Sequence, residues 1–529
     1  MILGNSLCAL DLAEELLGMG IEVIIVSRDL HCDSPSLDSK SDKTNKIKPE
    51  ILLETRLLSC QGIAGDFKVH LEQNEKEIFR NAANIVIAEN YRRESNFSLY
   101  NLEPSEDILS LSGVMENLNN RSKGKNLFSK GKKVSFFTGL THESNPLIHE
   151  EIMGSCLKLQ SDLGVQTYVF TKNLKVAGEG LDTLYKKTRE AGTIYIKLTD
   201  TLPEVHQDQN GRRLVAYYDE VTRQKCRSTT DIIVVDETIC SSVYHQEIGP
   251  ILNIDRDHLG FLQTDNVHRY SVFTNRTGIF AVGPSRAILS PTDQITGAQN
   301  AAIHTIELLA GQYRRGDGES AVIDPGSCVR CLTCYRLCPY HAIFINSRPC
   351  VERDACEGCG ICAAECPRGA ITLGPFHGID LFKQAKEGTG LIDKQDFIPR
   401  IAAFCCSRSS IQAMEVASCL GYELLEGMDV IEVPCAGNVS IEDILGAFKS
   451  NYDGVLVLTC HKGNCHSERG HTLALGRIDH TGALLARIGL EKERLHQCAL
   501  ASNMGREFAE ICKRFRDRLL KLGPTRLRR

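Results

Sequence analysis

Apolar residues fall along this chain in strand-length runs separated by stretches of helical period. Ile2-Leu3 precede the turn Gly4-Asn5-Ser6, Leu10, Ala13, Leu16 and Leu17 then recur at helical spacing, and Ile21 to Val26 follows as a second strand. This is a β-α-β opening in which only three residues stand before the turn, as if the start codon had clipped the first strand. Ser34 to Lys48 is polar and reads as a surface loop. Residues 51 to 90 alternate as strands and end in Ile85-Val86-Ile87-Ala88. Asn117 to Lys133 is polar and basic, a linker whose lysines are solvated. A second α/β unit begins with the strand Val134 to Thr138, passes through a helix around Ile148 to Leu163 and the strand Val165 to Thr171, and reaches Asp231 to Val235. The chain then returns with the strand Gly278 to Gly283 and a helix from about Asp293 to Leu309, so one α/β unit is inserted within another.

Past residue 396 the pattern is again α/β. A strand Ile398 to Phe404, a helix near Ile411 to Leu420, a strand Val430 to Val433, a helix Ile441 to Ser450 and a strand Gly454 to Leu458 precede a last helix, Asn503 to Leu522. That helix carries Arg506, Lys513, Arg514, Arg516, Arg518 and Lys521, either a solvated basic face or a surface for an acidic partner protein.

The length, 529 residues, corresponds to roughly 3.5 domains at about 150 residues each. With 42% hydrophobic and 24% charged residues the chain can bury several cores. No apolar run approaches the roughly 18 residues of a membrane span. Asp11, Glu14 and Glu15 inside the first apolar stretch exclude a secretory signal. A cytoplasmic location is expected, extending at most to the periphery of a membrane complex. The net charge of −6 offers no general field for nucleic acid.

The unusual figure is 23 cysteines with no tryptophan. Without an export signal, thiolate-bound metal is a better reading than disulfides. Residues 328 to 343 read CVRCLTCYRLCPYHAI and residues 356 to 371 read CEGCGICAAECPRGAI, the same pattern 28 residues on. This is the bacterial two-cluster ferredoxin pattern, in which each C-x2-C-x2-C loop wraps one [4Fe-4S] cubane and the fourth cysteine, before proline, ligates the other. Cluster one is therefore assigned Cys328, Cys331, Cys334 and Cys366, and cluster two Cys356, Cys359, Cys362 and Cys338. Structural zinc is the bland alternative, but it needs four thiolates per metal and not eight in two such runs. Cys350 has no place in the pattern and reads as a free buried thiol.

In the C-terminal unit each strand ends in cysteine. Cys405 and Cys406 follow the first strand, Cys435 the second and Cys460 the third, with Cys465 close behind. The carboxyl ends of parallel strands share one rim, where such cysteines meet. The alternatives are a set of buried core cysteines and zinc held by cysteine with His461 or His466.

In the N-terminal unit the dinucleotide fingerprint G-x-G-x-x-G stands as Gly4-x-Ser6-x-x-Ala9, and Ser27-Arg28 occupy the place of the acidic residue after strand two. A plain β-α-β unit with no nucleotide is as good a reading of that motif as a binding site.

Together with the ferredoxin cysteines, Ile51 to Ala88, Gly178 to Tyr185 and Gly278 to Ala302 make residues 1 to 375 resemble the A subunit of heterodisulfide reductase and the B subunit of the quinone-interacting membrane-bound oxidoreductase. The resemblance implies a thioredoxin-reductase-like flavin domain that binds FAD, with Gly4, Ser6, Ala9, Gly278 and Gly283 at the cofactor. Three positions depart from the family: the degraded turn, Ala88-Glu89-Asn90 in place of Ala-Thr-Gly, and Pro284 after Gly283. Cys32, Cys60 and Cys156 are isolated, without the family's further cluster near the flavin. Phe404-Cys405-Cys406, Val433-Pro434-Cys435-x-Gly437, Asp453 to Val457 and the Cys460 to His466 run resemble the delta subunit of methyl-viologen-reducing hydrogenase. That family implies one [2Fe-2S] cluster, with Cys405, Cys406, Cys435, Cys460 and Cys465 as five candidates for four positions and Ser409 where a further cysteine often stands.

The expected architecture is an α/β chain of four units: 1–120 with 278–312, a flavin-type Rossmann-like domain; 130–277, an inserted dinucleotide-type domain; 320–375, an α+β two-cluster ferredoxin; and 396–515, an α/β [2Fe-2S] domain. The expected function is that of an electron-transfer component of an oxidoreductase complex. Its implied partners are heterodisulfide-reductase-like B and C subunits or quinone-interacting oxidoreductase subunits, and a hydrogenase or other donor. A relay that has lost FAD and keeps its flavin domain as scaffold is one alternative. An NAD(P)H-linked flavin oxidoreductase resembling glutamate synthase small subunits is another, though neither unit holds an intact G-x-G-x-x-G.

Overall fold

A computed structural model describes residues 1–30, 48–119, 127–199, 201–207, 212–262, 271–310, 320–353, 355–374 and 397–527. Cys32 and most of the predicted loop Ser34 to Lys48 lie outside the described residues. The first unit is a parallel five-stranded sheet, in the order Ile279–Ala281, Ile85–Ile87, Ile2–Leu3, Ile24–Val26, Glu50–Leu52. Its central strands are covered on both faces, which is why they read as unbroken apolar runs. A three-stranded antiparallel sheet, Thr55–Ile63, Asp66–Gln73 and Lys76–Ala82, extends it. The second unit repeats the plan. Its parallel order is Ile194–Lys197, Gln166–Thr171, Lys133–Thr138, Ile232–Val235, Ile108–Ser110, with Glu204–Gln207, Arg213–Asp219 and Gln224–Thr230 as the antiparallel extension.

The boundaries between these units differ from the expected 120 and 277. Strand Ile108–Ser110 pairs with Ile232–Val235 and Arg92–Ser95 pairs with Glu237–Cys240, so the inserted unit begins near residue 91. Helix His245–Leu252 already packs into the first core through Ile248 and Leu252. The polar stretch after Asn117 misleads because it interrupts the inserted unit, between helix Leu111–Asn119 and strand Lys133–Thr138, and does not precede it.

In the ferredoxin module, Ala321–Ile323 pairs with Ile371–Leu373 and Ile343–Asn346 with Arg348–Val351. The 28-residue repeat persists in the backbone. Arg330 and Leu332 are left-handed at φ 58° and 60°, and their counterparts Gly358 and Gly360 take φ 61° and 75°. The second loop thus uses glycine where the first bends non-glycine residues at roughly 1–2 kcal/mol each. The amides of Ala342 and Ala370 donate to Cys338 Sγ and Cys366 Sγ at 3.3 Å each.

The C-terminal domain is a parallel sheet ordered Met428–Val433, Ile401–Cys406, Gly454–Thr459, Leu495–Ala499. Helices Ser410–Cys419 and Gly505–Leu522 cover one face, Ile441–Lys449 and Gly470–Arg487 the other. The domain closes on Leu519 at the end of its last helix, past the expected limit of 515. Among the described residues no helix is long and apolar enough to cross a membrane.

Candidate iron-sulfur centres

Cys334, Cys338, Cys356, Cys362 and Cys366 lie together in one small core. Cys328, Cys331, Cys334 and Cys366 line one small cavity with Val329, Leu332 and Ile371. Cys338 packs with Cys356 and Cys359 around Tyr340, Ala342 and Ala355, and its thiol is pushed up by burial and by Cys356. Cys350 is half-buried, its thiol directed to the Arg348 carbonyl at 3.6 Å.

Strand Ile401–Cys406 runs through both of its cysteines instead of stopping at Phe404. Successive strand residues point to opposite faces, so the pair splits. Cys406 enters the core that holds Cys435, Cys460 and Cys465. Cys405 enters the opposite core, against Ala413, Ala417 and Cys512. The five-candidate set is thereby corrected to four side chains that meet and one that does not. His461 is exposed and outside the group.

Cys406 Sγ lies 3.7 Å from Cys460 Sγ, and Cys460 Sγ lies 3.4 Å from Ser409 Oγ. Ser409 therefore stands at the thiols, where the resemblance puts a further cysteine. Hydrogen bonds from Cys406 and Cys465 hold the Cys460 thiol far below its ordinary range, and one from Cys465 lowers Cys435. Donating those bonds pushes Cys406 and Cys465 up. A group of four buried thiols suits a soft metal centre. Gly470 opens helix Gly470–Arg487 against it: a Cβ there would fall 2.3 Å from Cys435 Sγ and 3.3 Å from Cys465 Sγ. Among the described residues no three His, Cys, Asp or Glu side chains are arranged to hold a single metal ion. Ligand assignment accordingly stands on the repeat and on these proximities.

The second ferredoxin loop is packed on this thiol group. Cys359 lies against the C-terminal core. A Cβ on Gly437 would fall 2.9 Å from Ile361 Cγ1, and one on Gly360 would fall 2.3 Å from Asn438 Oδ1. Arg477, buried at 7% exposure, donates to Glu365 Oε1 at 2.8 Å and to the carbonyls of Gly437 and Val439 at 2.9 and 2.6 Å. Tyr340 donates to the His466 carbonyl at 3.0 Å. Nothing in the sequence signals Arg477, since an arginine on an amphipathic helix reads as solvated.

At the flavin-type edge, Gly4 ends the first strand, Ala9 is buried in helix Leu7–Gly18, and Gly278 and Gly283 flank strand Ile279–Ala281. The Ser6 amide donates to the Ala88 carbonyl at 3.2 Å, and its hydroxyl lies 3.1 Å from Cys8 Sγ. Glu89 is buried and pushed up to about 7 by desolvation. Arg28 pairs with Glu247 at 2.6 Å and stacks over Tyr244 at 4.2 Å. A pyrophosphate needs close backbone approach and free amides at this turn and no acid beside it. The side chain of Ser6, its committed amide and Glu89 do not meet those needs.

The family model for the methyl-viologen-reducing hydrogenase delta subunit matches residues 401–523, and a 4Fe-4S binding domain model matches residues 321–344. The A subunit of the ferredoxin/F(420)H(2)-dependent CoB-CoM heterodisulfide reductase of Methanosarcina acetivorans is 27% identical over 353 residues, 66% of this chain and 44% of that protein. The D iron-sulfur subunit of the F420-non-reducing hydrogenase of Archaeoglobus profundus is 34% identical over 135 residues, 26% of this chain and 98% of that protein. A solved thioredoxin reductase of T. acidophilum overlaps 59% of this chain and 98% of its own, at 13% identity and a TM-score of 0.38. The chain spans less than half the length of the heterodisulfide reductase subunits it matches. It is a relative of the heterodisulfide reductase A subunits that carries, at residues 401–523, a domain of the methyl-viologen-reducing hydrogenase delta-subunit family.

Proposed function

We propose that the chain relays single electrons within a redox complex, between a donor protein met by the C-terminal domain and the remainder of a heterodisulfide-reductase-like assembly. The observation that carries this reading is the seating of the second ferredoxin loop directly on the Cys406, Cys435, Cys460 and Cys465 group. Cys328, Cys331, Cys334 and Cys366 would hold one [4Fe-4S] cluster, Cys356, Cys359, Cys362 and Cys338 the other, and the four C-terminal thiols a [2Fe-2S] cluster. Bound there, such clusters take up and release one electron at a time. The protein's part is to bury the thiols and clamp the two loops together through Arg477 and Tyr340.

The flavin-type unit serves this reading as a scaffold. Ser6 and Glu89 are each expected to weaken dinucleotide binding by about 1–3 kcal/mol, so the protein should lose FAD on gel filtration. Stoichiometric retention of FAD would overturn the scaffold role and favour the flavin-containing alternative.

The test of the relay is anaerobic purification with iron, acid-labile sulfide and visible spectra, read against two four-iron clusters and one two-iron cluster. Zinc without sulfide in residues 320–374 would end the assignment. Cys338→Ser should damage the second cluster while sparing the first, because the first draws its loop ligands from Cys328, Cys331 and Cys334. Equal loss of both EPR signals would contradict the crossed ligation.

A further inference from the structure

The carboxyl edge of the first sheet takes no part in the relay. Strands Ile85–Ile87 and Ile24–Val26 flank Ile2–Leu3 in parallel, so Ala88-Glu89-Asn90 and Ser27-Arg28-Asp29 follow them on either side of the turn Gly4-Asn5-Ser6. Ligands of open α/β sheets bind in the crevice outside such strand ends. Glu89 is 7% exposed there, and among the described residues its carboxyl takes no hydrogen bond or ion pair. Asp29 and Arg28 are close enough to act on its charge, in opposite senses.

The donors around Glu89 are committed elsewhere. Its own amide donates to Ser285 Oγ at 2.8 Å, the Ser285 hydroxyl lies 3.2 Å from His245 Nε2, and His245 Nδ1 lies 3.3 Å from the Gly260 carbonyl. A carbonyl only accepts, so Nδ1 carries the ring proton and Nε2 takes the Ser285 proton. Burial holds His245 neutral, down at about 4. Arg28 is held by Glu247 at 2.6 Å and stacked over Tyr244 at 4.2 Å. The Asn90 amide donates to Asn5 Oδ1 at 3.2 Å. Buried polar groups find partners as a rule, and a carboxyl left without one at the mouth of a ligand crevice marks a site whose partner comes from outside.

We infer that this crevice binds an organic cation, whose ammonium or guanidinium group is received by Glu89. Asp29, exposed past the neighbouring strand, adds a second negative charge that draws a cation in. The same two carboxyls turn away phosphate, as does the Ser6 amide, which is bound to the Ala88 carbonyl at 3.2 Å. A bare metal ion is a poorer occupant, since among the described residues no three His, Cys, Asp or Glu side chains are arranged to hold one. The inference goes beyond the relay reading and needs no cluster. The cation has two sources, a free small molecule or a basic side chain presented by another protein, and both are recognised by the same chemistry.

The experiment is a calorimetric titration of the full-length protein at pH 8, where Glu89, raised by burial to about 7, is ionised. The probes are agmatine for the free cation, the peptide acetyl-Gly-Arg-Gly-amide for a presented side chain, and AMP as the anionic control. The wild-type protein should bind agmatine or the peptide, the tighter of the two naming the source, and ignore AMP. Glu89→Gln should weaken binding of the cation on the order of tenfold or more, and Asp29→Asn by about threefold or less, because its charge is exposed and screened. Thermal melts at the same pH separate recognition from structure. Removal of a buried charge that has no partner should leave Glu89→Gln melting no lower than wild type, and the cation should raise the melting temperature of wild type alone. Binding of neither probe, binding of AMP in preference, or a Glu89→Gln protein that melts well below wild type overturns the cation site and leaves the relay reading standing. Stoichiometric FAD in the purified protein overturns the cation site together with the scaffold role.

Discussion

Serine in place of Cys406, Cys435, Cys460 or Cys465 is expected to abolish the C-terminal [2Fe-2S] EPR signal on reduction, whereas Cys405→Ser should retain it. The first four side chains meet in one core beside Ser409, each with 5% exposure or less. Cys405 faces Ala413, Ala417 and Cys512 across the sheet. Its replacement buries a hydroxyl in an apolar core, a cost of about 1–3 kcal/mol in stability with no ligand removed. The outcome that would sink the four-thiol assignment is loss of the signal in Cys405→Ser together with its survival in Cys406→Ser, since that would require the strand to be rotated by one residue.

The difference between those neighbours also marks what can be read from the chain. The ferredoxin pattern is legible because it is local: three cysteines within seven residues and a fourth before proline mark each loop, and the cross-pairing is what the pattern proposes. The C-terminal rim is legible as a group because strand ends converge in any parallel sheet. Which of Cys405 and Cys406 joins it depends on whether the strand continues two residues past Phe404, and apolar periodicity does not resolve that length. Strand Leu495–Ala499 and helix Gly470–Arg487 escape the pattern because the strand mixes His496 and Gln497 with apolar residues and the helix carries Arg477, Asp479 and His480 among its apolar positions. The unit boundaries fail for a different reason. A polar insertion in a surface connection resembles a linker in composition, and only the pairing of Ile108–Ser110 with Ile232–Val235 reveals to which sheet it belongs.

Removal of Arg477 is expected to be the most disruptive single change away from the cysteines. Its guanidinium sits at 7% exposure, where its hydrogen bonds to Gly437 and Val439 fix the turn that follows Cys435, and its Nε–H holds Glu365 beside Cys366. Bonds from a charged donor are worth about 1.5–3 kcal/mol each. The Glu365 side chain is 28% exposed, so its ion pair is screened and contributes little beyond orientation. Arg477→Met should therefore destabilise the C-terminal domain by about 3 kcal/mol, chiefly by leaving two buried carbonyls without donors. Arg477→Lys should recover only part of that, because the guanidinium bonds both carbonyls through Nη1 and Glu365 through Nε at once, which a single ammonium does not match. Glu365→Gln should cost less than about 1 kcal/mol. Urea unfolding followed by the loss of cluster absorbance measures all three. A positional role makes one further demand: with both clusters reduced, the magnetic interaction that broadens their EPR lines should weaken in Arg477→Met even in buffer where the protein stays folded. If the broadening is unchanged while stability falls, Asn438 and Tyr340 hold the two loops together without Arg477, and its place is in the core of the C-terminal domain alone.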